Sequence, residues 1–315
     1  MKAKIKSVYG VFPSKVIQNN DFVTKYGLDT SDEWIKSRTG ISQRYICKKN
    51  EDIVYLATNA AKGAIKKANI NVNDIELILV STSTSPYSGF PSLACLVQKE
   101  LKMNHCPAFD INAACTGFSY AITIAQQFIE NQQYKNILVI SADTLSDLID
   151  WTDRRTCILF GDAAGAVILQ ATSNKNSGIL FSEIKADGQQ ANILTGDKKH
   201  HIHMDGQRVF KTAINYCLPA IKNALNKTGL NLKNIKYIIP HQANQRILDQ
   251  IKLKLKLSDT QLISSITNYG NTSSATIPTT LNLLDQKNQL QKDDILMLIG
   301  FGSGFTWGIN IIKWS

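Results

Sequence analysis

The sequence predicts an α/β protein built from two similar halves, because two kinds of segment recur along the chain in the same order. Residues 67–81 and 227–241 share one arrangement of apolar and polar positions, and each follows a helical pattern and ends in an apolar strand. Residues 131–140 and 288–299 form a second pair of this kind. Since chance produces one such match more readily than two in order, we expect a duplicated α/β unit whose halves meet near residue 170.

The predicted strands are mostly short apolar runs without alternation, which is typical of strands covered on both faces. They lie near residues 3–9, 76–82, 107–111, 136–142, 157–170, 178–186, 235–240, 295–300 and 305–313. The predicted helices lie near residues 32–37, 52–68, 90–101, 115–131, 209–227, 244–257 and 275–286. Residues 251–257 alternate as a strand does, but the helical spacing just before them favours a helix. Ser31 or Asp32 is the expected N-cap of the first helix.

Length and composition indicate a globular protein with a large core. The chain has 315 residues, of which 43% are hydrophobic, and no apolar run is long enough to span a membrane. The first residues lack the apolar core of a signal peptide, and the six cysteines include no C-x-x-C pair. We therefore expect a cytoplasmic protein with reduced thiols and no membrane association.

The formal net charge of +10 favours acidic partners, which include nucleic acids, phosphorylated cofactors and acidic proteins. The sequence has no zinc finger, RNA-binding aromatic signature or basic-arm motif, so nucleic-acid binding is not expected. His200, His201 and His203 are not accompanied by a set of cysteines or carboxylates at metal-ligand spacing, so no metal site is expected.

Cys115 lies where an apolar strand turns through small residues into a helical pattern. The unpaired amides and positive dipole end of a helix start favour a thiolate, which predicts a nucleophile. The small residues Ala113, Ala114, Thr116 and Gly117 would leave the sulfur and the backbone amide accessible to a substrate. The alternative is a buried cysteine that serves only as a small core residue.

Two further polar segments supply candidate partners for this cysteine. His241 directly follows the apolar strand 235–240, and the carboxyl ends of such strands are where α/β proteins build their sites. Asn271 lies in a turn that leads into a helix. The alternatives are a structural histidine and a helix-capping asparagine. The glycine-rich turn at 300–308 lacks the spacing of a phosphate loop, but it would allow a close backbone approach to a ligand.

Seven motifs, taken together, resemble the β-ketoacyl-acyl carrier protein synthase III family, whose members initiate bacterial fatty-acid synthesis. The motifs are Thr30-Ser-Asp-Glu-Trp-Ile-Lys-Ser-Arg-Thr-Gly40, Asn112-Ala-Ala-Cys-Thr-Gly-Phe118, Thr152-Asp-Arg154, Phe160-Gly-Asp-Ala-Ala-Gly165, His241-Gln-Ala-Asn244, Tyr269-Gly-Asn-Thr-Ser273 and Gly302-Ser-Gly-Phe-Thr-Trp-Gly308. The resemblance runs nearly end to end. It implies a thiolase-like, five-layer α-β-α-β-α sandwich, with residues 1–170 carrying the nucleophile and residues 171–315 carrying the histidine and the asparagine.

The resemblance also implies the reaction, which is decarboxylative condensation of a short acyl-CoA, acetyl-CoA by default, with malonyl-acyl carrier protein. Cys115, His241 and Asn271 would form the catalytic triad, and the backbone amides of Cys115 and Ser303 would form the oxyanion hole. No cofactor is implied beyond the coenzyme A thioester that serves as substrate. The alternative on the same fold is a specialised acyltransferase or condensing enzyme of secondary metabolism. Non-catalytic partner subunits of this superfamily lack the cysteine.

Binding roles follow from the same resemblance. Trp34 and Arg154 would sandwich the adenine of coenzyme A, Arg38 would meet its phosphates, and Asn244 would touch the pantetheine arm. The alternative for Trp34 is a half-buried helix aromatic.

Lys211 and Arg246 would face the acidic carrier protein, unless they belong to a merely solvated helix face. Phe90 would reach across a homodimer to gate the acyl pocket of the partner subunit. The alternative for Phe90 is a core residue preceding Pro91.

The chain departs from the family pattern at three places. Arg155 and Ser303 each stand where a glycine is common, and Tyr87, shortly before Phe90, differs in size from the usual residue. Arg155 would tighten phosphate binding or crowd the coenzyme A entrance, and Ser303 would narrow its turn. The segment at Tyr87 leaves the chain length of the primer open.

Overall fold

A computed structural model of the chain describes residues 1–103, 105–196 and 201–315. Within these ranges the strands are β1 (Lys2–Val11), β2 (Lys15–Gln18), β3 (Gln43–Ile46), β4 (Leu77–Ser81), β5 (Ala108–Ile111), β6 (Asn136–Thr144), β7 (Asp162–Thr172), β8 (Gly178–Ala186), β9 (Leu194–Gly196), β10 (Ile202–Met204), β11 (Tyr237–Pro240), β12 (Ile295–Gly302) and β13 (Thr306–Lys313). The α-helices are α1 (Asn19–Thr24), α2 (Asp32–Thr39), α3 (Ile53–Ala68), α4 (Leu93–Glu100), α5 (Gly117–Glu130), α6 (Gly206–Thr228), α7 (Gln245–Leu255), α8 (Ile266–Tyr269) and α9 (Thr276–Gln286).

Two sheets repeat one topology. The first has the strand order β5-β4-β6-β7-β1, with β4 parallel to β5 and β6, and with β7 antiparallel to both of its neighbours. The second has the order β11-β12-β13-β8, with β11 parallel to β12 and the other pairs antiparallel. A single parallel bridge between Ile238 and Leu262 stands where the counterpart of β5 would lie. The four strands of the second sheet therefore correspond in order and direction to β4, β6, β7 and β1 of the first, which confirms the predicted duplication.

Helices α5 and α9 lie between the two sheets. Their side chains, among them Phe118 and Leu281, share one core with Leu79 of β4 and Leu298 of β12. The alternate strand residues point to the opposite faces. On the first sheet these pack with α3 and α4, and on the second with α6 and α7. The result is five layers, helix-sheet-helix-sheet-helix, with both sheets covered on both faces.

Most predicted elements match the structure to within a few residues, and Ser31 is the N-cap of α2, accepting a hydrogen bond from the Trp34 amide at 3.1 Å. The predicted strand at 157–170 is wrong at its start, since β7 begins only at Asp162. The chain before it is a turn, in which the Cys157 amide donates to the Asp153 carbonyl at 3.0 Å. The ambiguous segment 251–257 is helical as predicted, as far as Leu255.

The first sheet takes strands from residues 2–172 and the second from residues 178–313. The functional division into residues 1–170 and 171–315 stays a prediction. Among the described residues, no helix combines the length and apolar character that crossing a membrane requires.

Candidate active site

Cys115, His241 and Asn271 line one cavity of about 950 Å³. Cys115 lies in the short 3-10 turn 114–116 that leads into α5, and His241 directly follows β11. Asn271 lies between α8 and the equivalent 3-10 turn at 273–275. Helices α5 and α9 therefore begin close to each other. Cys115 of the first half shares the cavity with His241 and Asn271 of the second half.

The turn that carries Cys115 leaves its backbone amide without an intrahelical acceptor, as in the first turn of any helix. Ala114 adopts the left-handed backbone region, with φ of 47°, a conformation that costs energy and recurs at functional sites. Gly302 packs so closely here that a Cβ atom on it would lie 2.8 Å from the Cys115 nitrogen. The Thr306 hydroxyl lies within hydrogen-bonding distance of two carbonyl acceptors, that of Ser303 at 3.0 Å and that of Ala113 at 3.2 Å. It thereby ties together the two turns whose amides are predicted to hold the oxyanion.

Burial dominates the chemistry of the Cys115 sulfur. It raises the pKa of the Cys115 thiol to about 12, although a hydrogen bond from the Ser273 hydroxyl, 3.4 Å from Sγ, acts in the opposite direction. A negative charge on Asp143, whose own pKa burial raises, would raise the Cys115 pKa further. In the unliganded protein the residue is therefore a thiol rather than the predicted thiolate, because lost hydration disfavours the charged form.

His241 is a neutral imidazole in this cavity. Burial lowers its pKa to about 3, and a hydrogen bond with the Ser273 backbone only partly opposes this effect. The ring meets Phe301 edge-on, with 5.0 Å between centroids, and the His241 amide donates to the Ile299 carbonyl at 2.7 Å. An imidazole fixed in this way keeps one N–H, which it can donate to an oxygen atom without carrying a charge.

Asn271 is fixed through both its backbone and its side chain. Its amide donates to the Leu159 carbonyl at 2.8 Å, and its carbonyl accepts from the Gly161 amide at 2.9 Å. The side-chain Oδ1 accepts from the Ser273 amide at 2.9 Å. Because that oxygen is engaged, the NH2 group is the end of the carboxamide that remains to serve a ligand as a donor.

Exposed basic side chains line the same cavity as the buried triad. These are Arg38, Lys211 and Arg246, together with the partly exposed Asn244. The cavity therefore leads from a positively charged surface to the Cys115 sulfur, as a channel for an anionic substrate would. Within it, Asn244 Nδ2 donates to the Arg38 carbonyl at 3.1 Å, and Oδ1 caps α7.

Trp34 and Arg154 are neighbours, but no base-sized gap separates them. The guanidinium carbon of Arg154 lies 5.1 Å from the Trp34 ring centroid, and that of Arg38 lies 5.7 Å from it. A flat base held between two flat groups needs about 7 Å, twice the usual contact distance of ~3.5 Å. Arg154 is bound to Asp29 in this state, so an adenine sandwich requires the arginine to swing away.

The three departures from the family pattern have definite surroundings. Arg155 points to solvent and pairs with Asp153, its Nε 2.9 Å from the carboxylate. It does not line the cavity. The Ser303 hydroxyl donates to the Leu194 carbonyl at 2.5 Å, which links its turn to β9. Tyr87 is exposed, in the loop that carries Phe90.

Phe90 is 88% exposed. A phenylalanine this exposed is not a core residue, so the alternative considered from the sequence is wrong. Its loop borders a second cavity of about 830 Å³, which Tyr87, Asp110 and Leu148 help to line. Large exposed apolar side chains commonly mark a contact with another molecule.

Sequence reasoning missed two residues beside the nucleophile. Ser273 is the last residue of the Tyr269–Ser273 motif, and that motif was the available signal for a functional role. Nothing in the motif indicates a contact with the Cys115 sulfur. Asp143 is fully buried and accepts hydrogen bonds from the Ser274 amide and hydroxyl at 3.1 and 2.6 Å. No local pattern distinguishes it from other polar residues at strand ends.

No metal site is evident in the part of the chain that the structure describes, where no group of three or more His, Cys, Asp or Glu side chains is arranged to hold an ion. His200, one of the three histidines considered from the sequence, lies outside the described residues.

Comparison with known proteins identifies the relatives of this chain. The model of the 3-Oxoacyl-[acyl-carrier-protein (ACP)] synthase III family matches residues 109–188, and its C-terminal counterpart matches residues 225–314. The chain is 40% identical over 315 residues to Beta-ketoacyl-[acyl-carrier-protein] synthase III 1 of Bacillus anthracis, with 100% of each chain covered.

Solved structures agree with this result. The crystal structure of 3-oxoacyl-[acyl-carrier-protein] synthase III from Aquifex aeolicus VF5 has a TM-score of 0.95 and 40% identity, covering 99% of this chain and 100% of that one. The priming β-ketosynthase of the R1128 polyketide pathway has a TM-score of 0.93 and 29% identity, covering 99% and 96%. These likenesses confirm the predicted thiolase-like fold.

Proposed function

Because the chain belongs to the 3-oxoacyl-[acyl-carrier-protein] synthase III family, we propose that it initiates fatty-acid synthesis by condensing a short acyl-CoA with malonyl-acyl carrier protein. Acetyl-CoA is the default primer. The observation that carries the proposal is the convergence of Cys115, His241 and Asn271 on one cavity that also reaches exposed basic residues. A specialised condensing enzyme is the alternative, and the R1128 priming enzyme, at lower identity, is a relative of that kind.

In the first half-reaction, the Cys115 sulfur attacks the carbonyl carbon of the acyl-CoA thioester. The carbonyl oxygen becomes an oxyanion, and the backbone amides of Cys115 and Ser303 stabilise it. The bond to the coenzyme A sulfur then breaks. The thiol proton of Cys115 ends on the departing coenzyme A, so the acyl transfer is balanced without a cofactor.

In the second half-reaction, malonyl-acyl carrier protein loses CO2, and negative charge moves onto its thioester oxygen. The N–H of neutral His241 and the NH2 group of Asn271 donate hydrogen bonds to that oxygen. The carbanion attacks the acyl-cysteine, a C–C bond forms, and the C–S bond to Cys115 breaks. Because decarboxylation generates the carbanion, no strong base is required, which suits a histidine whose pKa is lowered to about 3.

The remaining roles concern binding. Trp34 and Arg154 hold the adenine once Arg154 leaves Asp29, Arg38 meets the phosphates, and Asn244 contacts the pantetheine arm. Lys211 and Arg246, both exposed at the cavity, face the acidic carrier protein.

The partner subunit of a homodimer places its Phe90 at the acyl pocket. A cytoplasmic location is part of the proposal, and it follows from the proposed substrates rather than from the fold.

The nucleophile is tested by mass spectrometry after incubation with a panel of acyl-CoA thioesters. The unaltered protein gains one acyl mass on the peptide that contains Cys115, and the Cys115→Ala variant gains none. Cys95→Ala, which removes an exposed cysteine, is the matched control and retains the adduct. Release of CO2 from malonyl-acyl carrier protein is measured in parallel, and acylation without CO2 release would favour a specialised acyltransferase.

A further inference from the structure

Ser273 contacts two of the three residues assigned to the reaction. Its hydroxyl donates to Cys115 Sγ at 3.4 Å, and its amide donates to Asn271 Oδ1 at 2.9 Å. The residue is 2% exposed, so bulk water does not compete for these bonds. The contact with Asn271 is made by the backbone and would survive a change of side chain, whereas the contact with the sulfur depends on the hydroxyl.

The buried carboxylate of Asp143, in the other half of the molecule, anchors the residue next to Ser273 and also faces the Ser273 hydroxyl. Asp143 Oδ2 accepts hydrogen bonds from the amide and hydroxyl of Ser274, and its Oδ1 accepts from the Ser83 amide at 2.7 Å. Ser273 itself has φ of 51°, in the left-handed region. These bonds hold the backbone of the turn beside the sulfur.

The other titratable groups facing the sulfur do not stabilise a negative charge on it. Asp143 opposes such a charge if it is ionised, and His241 is neutral. Among the described residues, the side chain that donates a hydrogen bond to Sγ is the Ser273 hydroxyl. Hydrogen bonds to a charged acceptor are the stronger kind, especially where water is excluded.

We propose that Ser273 is a further catalytic residue, whose hydroxyl stabilises the thiolate of Cys115 whenever the sulfur bears the charge. The inference rests on the proposed function for the two steps concerned. In acylation, the thiol loses its proton as the C–S bond to the substrate forms. In condensation, the C–S bond of the acyl-cysteine breaks and its electron pair returns to Sγ. In both steps Ser273 donates a hydrogen bond and keeps its own proton.

The test uses alkylation of Cys115 by iodoacetamide, followed by mass spectrometry of its peptide over a range of pH. Ser273→Ala lowers the rate at each pH about tenfold, the effect of losing one hydrogen bond to a charged group. Thr272→Ala is the matched control. It removes a buried hydroxyl of the same segment that bonds Thr276 rather than the sulfur, and its alkylation rate equals that of the unaltered protein.

An alkylation rate in Ser273→Ala equal to that of the control would overturn the proposal. If Ser273→Ala does not fold, Ser273→Gly removes the same hydroxyl and suits the left-handed backbone at this position, so the same comparison applies. The alkylation assay needs no substrate. A protein that shows the Ser273 effect but fails to condense acetyl-CoA with malonyl-acyl carrier protein would therefore refute the proposed function, while the stabilisation of the Cys115 thiolate by Ser273 would stand.

Discussion

At the scale of single residues, the site combines a nucleophile and a histidine that are both uncharged at rest. Burial drives both in that direction, raising the pKa of Cys115 and lowering that of His241. A thiolate–imidazolium pair, as in cysteine proteases, is thus disfavoured here. With so low a pKa, His241 is a weak base, so its proposed role is to donate a hydrogen bond to the thioester oxygen of the malonyl group rather than to remove a proton.

This assignment predicts that the two half-reactions separate on mutation. His241→Ala and Asn271→Ala still form the acyl-cysteine, but each slows condensation by about 10²–10³-fold, as expected for one lost donor to a developing oxyanion. Acyl-adduct mass measures the first step, and CO2 release from malonyl-acyl carrier protein measures the second. Asn268→Ala, an exposed asparagine of the same segment, is the control. Unimpaired condensation in either variant would remove that residue from the mechanism.

The sequence brought out these three residues only through their motifs taken together. Cys115 alone reads equally well as a core cysteine, and Asn271 alone as a helix cap. The thiolate prediction failed because a helix start is visible in a sequence, whereas the depth of the cavity above it is not. Ser273 was missed for a related reason, since its contact with the sulfur exists only when the two halves meet.

At the scale of elements, the duplication explains why a glycine lies beside the nucleophile. Turns 114–116 and 273–275 occupy equivalent places before α5 and α9, and each opens with a residue at positive φ, Ala114 and Ser273. Asp143 of strand β6 lies at the second turn, where its carboxylate accepts a hydrogen bond from the Ser274 amide. Strand β12 places Gly302 against the first turn. The Ser274 amide of the second turn donates to Asp143, whereas the equivalent Cys115 amide faces a glycine and has no such acceptor among the described residues. The Cys115 amide is thus available to donate to an oxyanion.

A side chain at position 302 is expected to block the Cys115 amide and so to remove its hydrogen bond to the oxyanion. Gly302→Ala places a Cβ atom 2.8 Å from the Cys115 nitrogen and 3.0 Å from its Cβ, both too close for ordinary contact. We expect acylation by acetyl-CoA to slow by about 10²-fold or more, the cost of losing an oxyanion donor. Stopped-time mass spectrometry gives the rate, and circular dichroism checks the fold. Gly188→Ala, where a Cβ meets nothing within 4 Å, is the control. An acylation rate equal to that of the control would exclude the Cys115 amide from the oxyanion hole.

The sequence predicted the long apolar elements well and the short ones poorly. Strands such as β4 and β12 are buried on both faces, so their apolar runs are unmistakable. The small pairs β2–β3 and β9–β10 were missed, since these short strands mix polar and apolar residues, whereas the equally short β11 lies in a continuous apolar run. The false start at 157 arose because apolar side chains there are buried in a turn rather than in a sheet.

At the scale of the whole molecule, the two halves share the active site, and the Phe90 side chain lies exposed on the surface. Phe90 is 88% exposed, and exposing so large an apolar surface is costly unless a second molecule covers it. We expect the protein to sediment as a homodimer in which Phe90 closes the acyl pocket of the partner. Phe90→Ala then accepts longer acyl-CoA primers in the mass assay. Leu253→Ala, which removes an exposed leucine from α7, leaves the primer range unchanged.

Mixed dimers decide whether the gate acts across the interface. In one mixture, a subunit with Phe90→Ala and intact Cys115 is paired with a Cys115→Ala subunit that keeps Phe90. Its reactive sulfur faces a normal gate, so short primers remain preferred. In the converse mixture, an unaltered subunit is paired with one that carries both substitutions, and its sulfur now accepts longer primers. If primer length instead follows Phe90 of the subunit that carries the reactive cysteine, the gate acts within its own chain and the proposed arrangement is wrong.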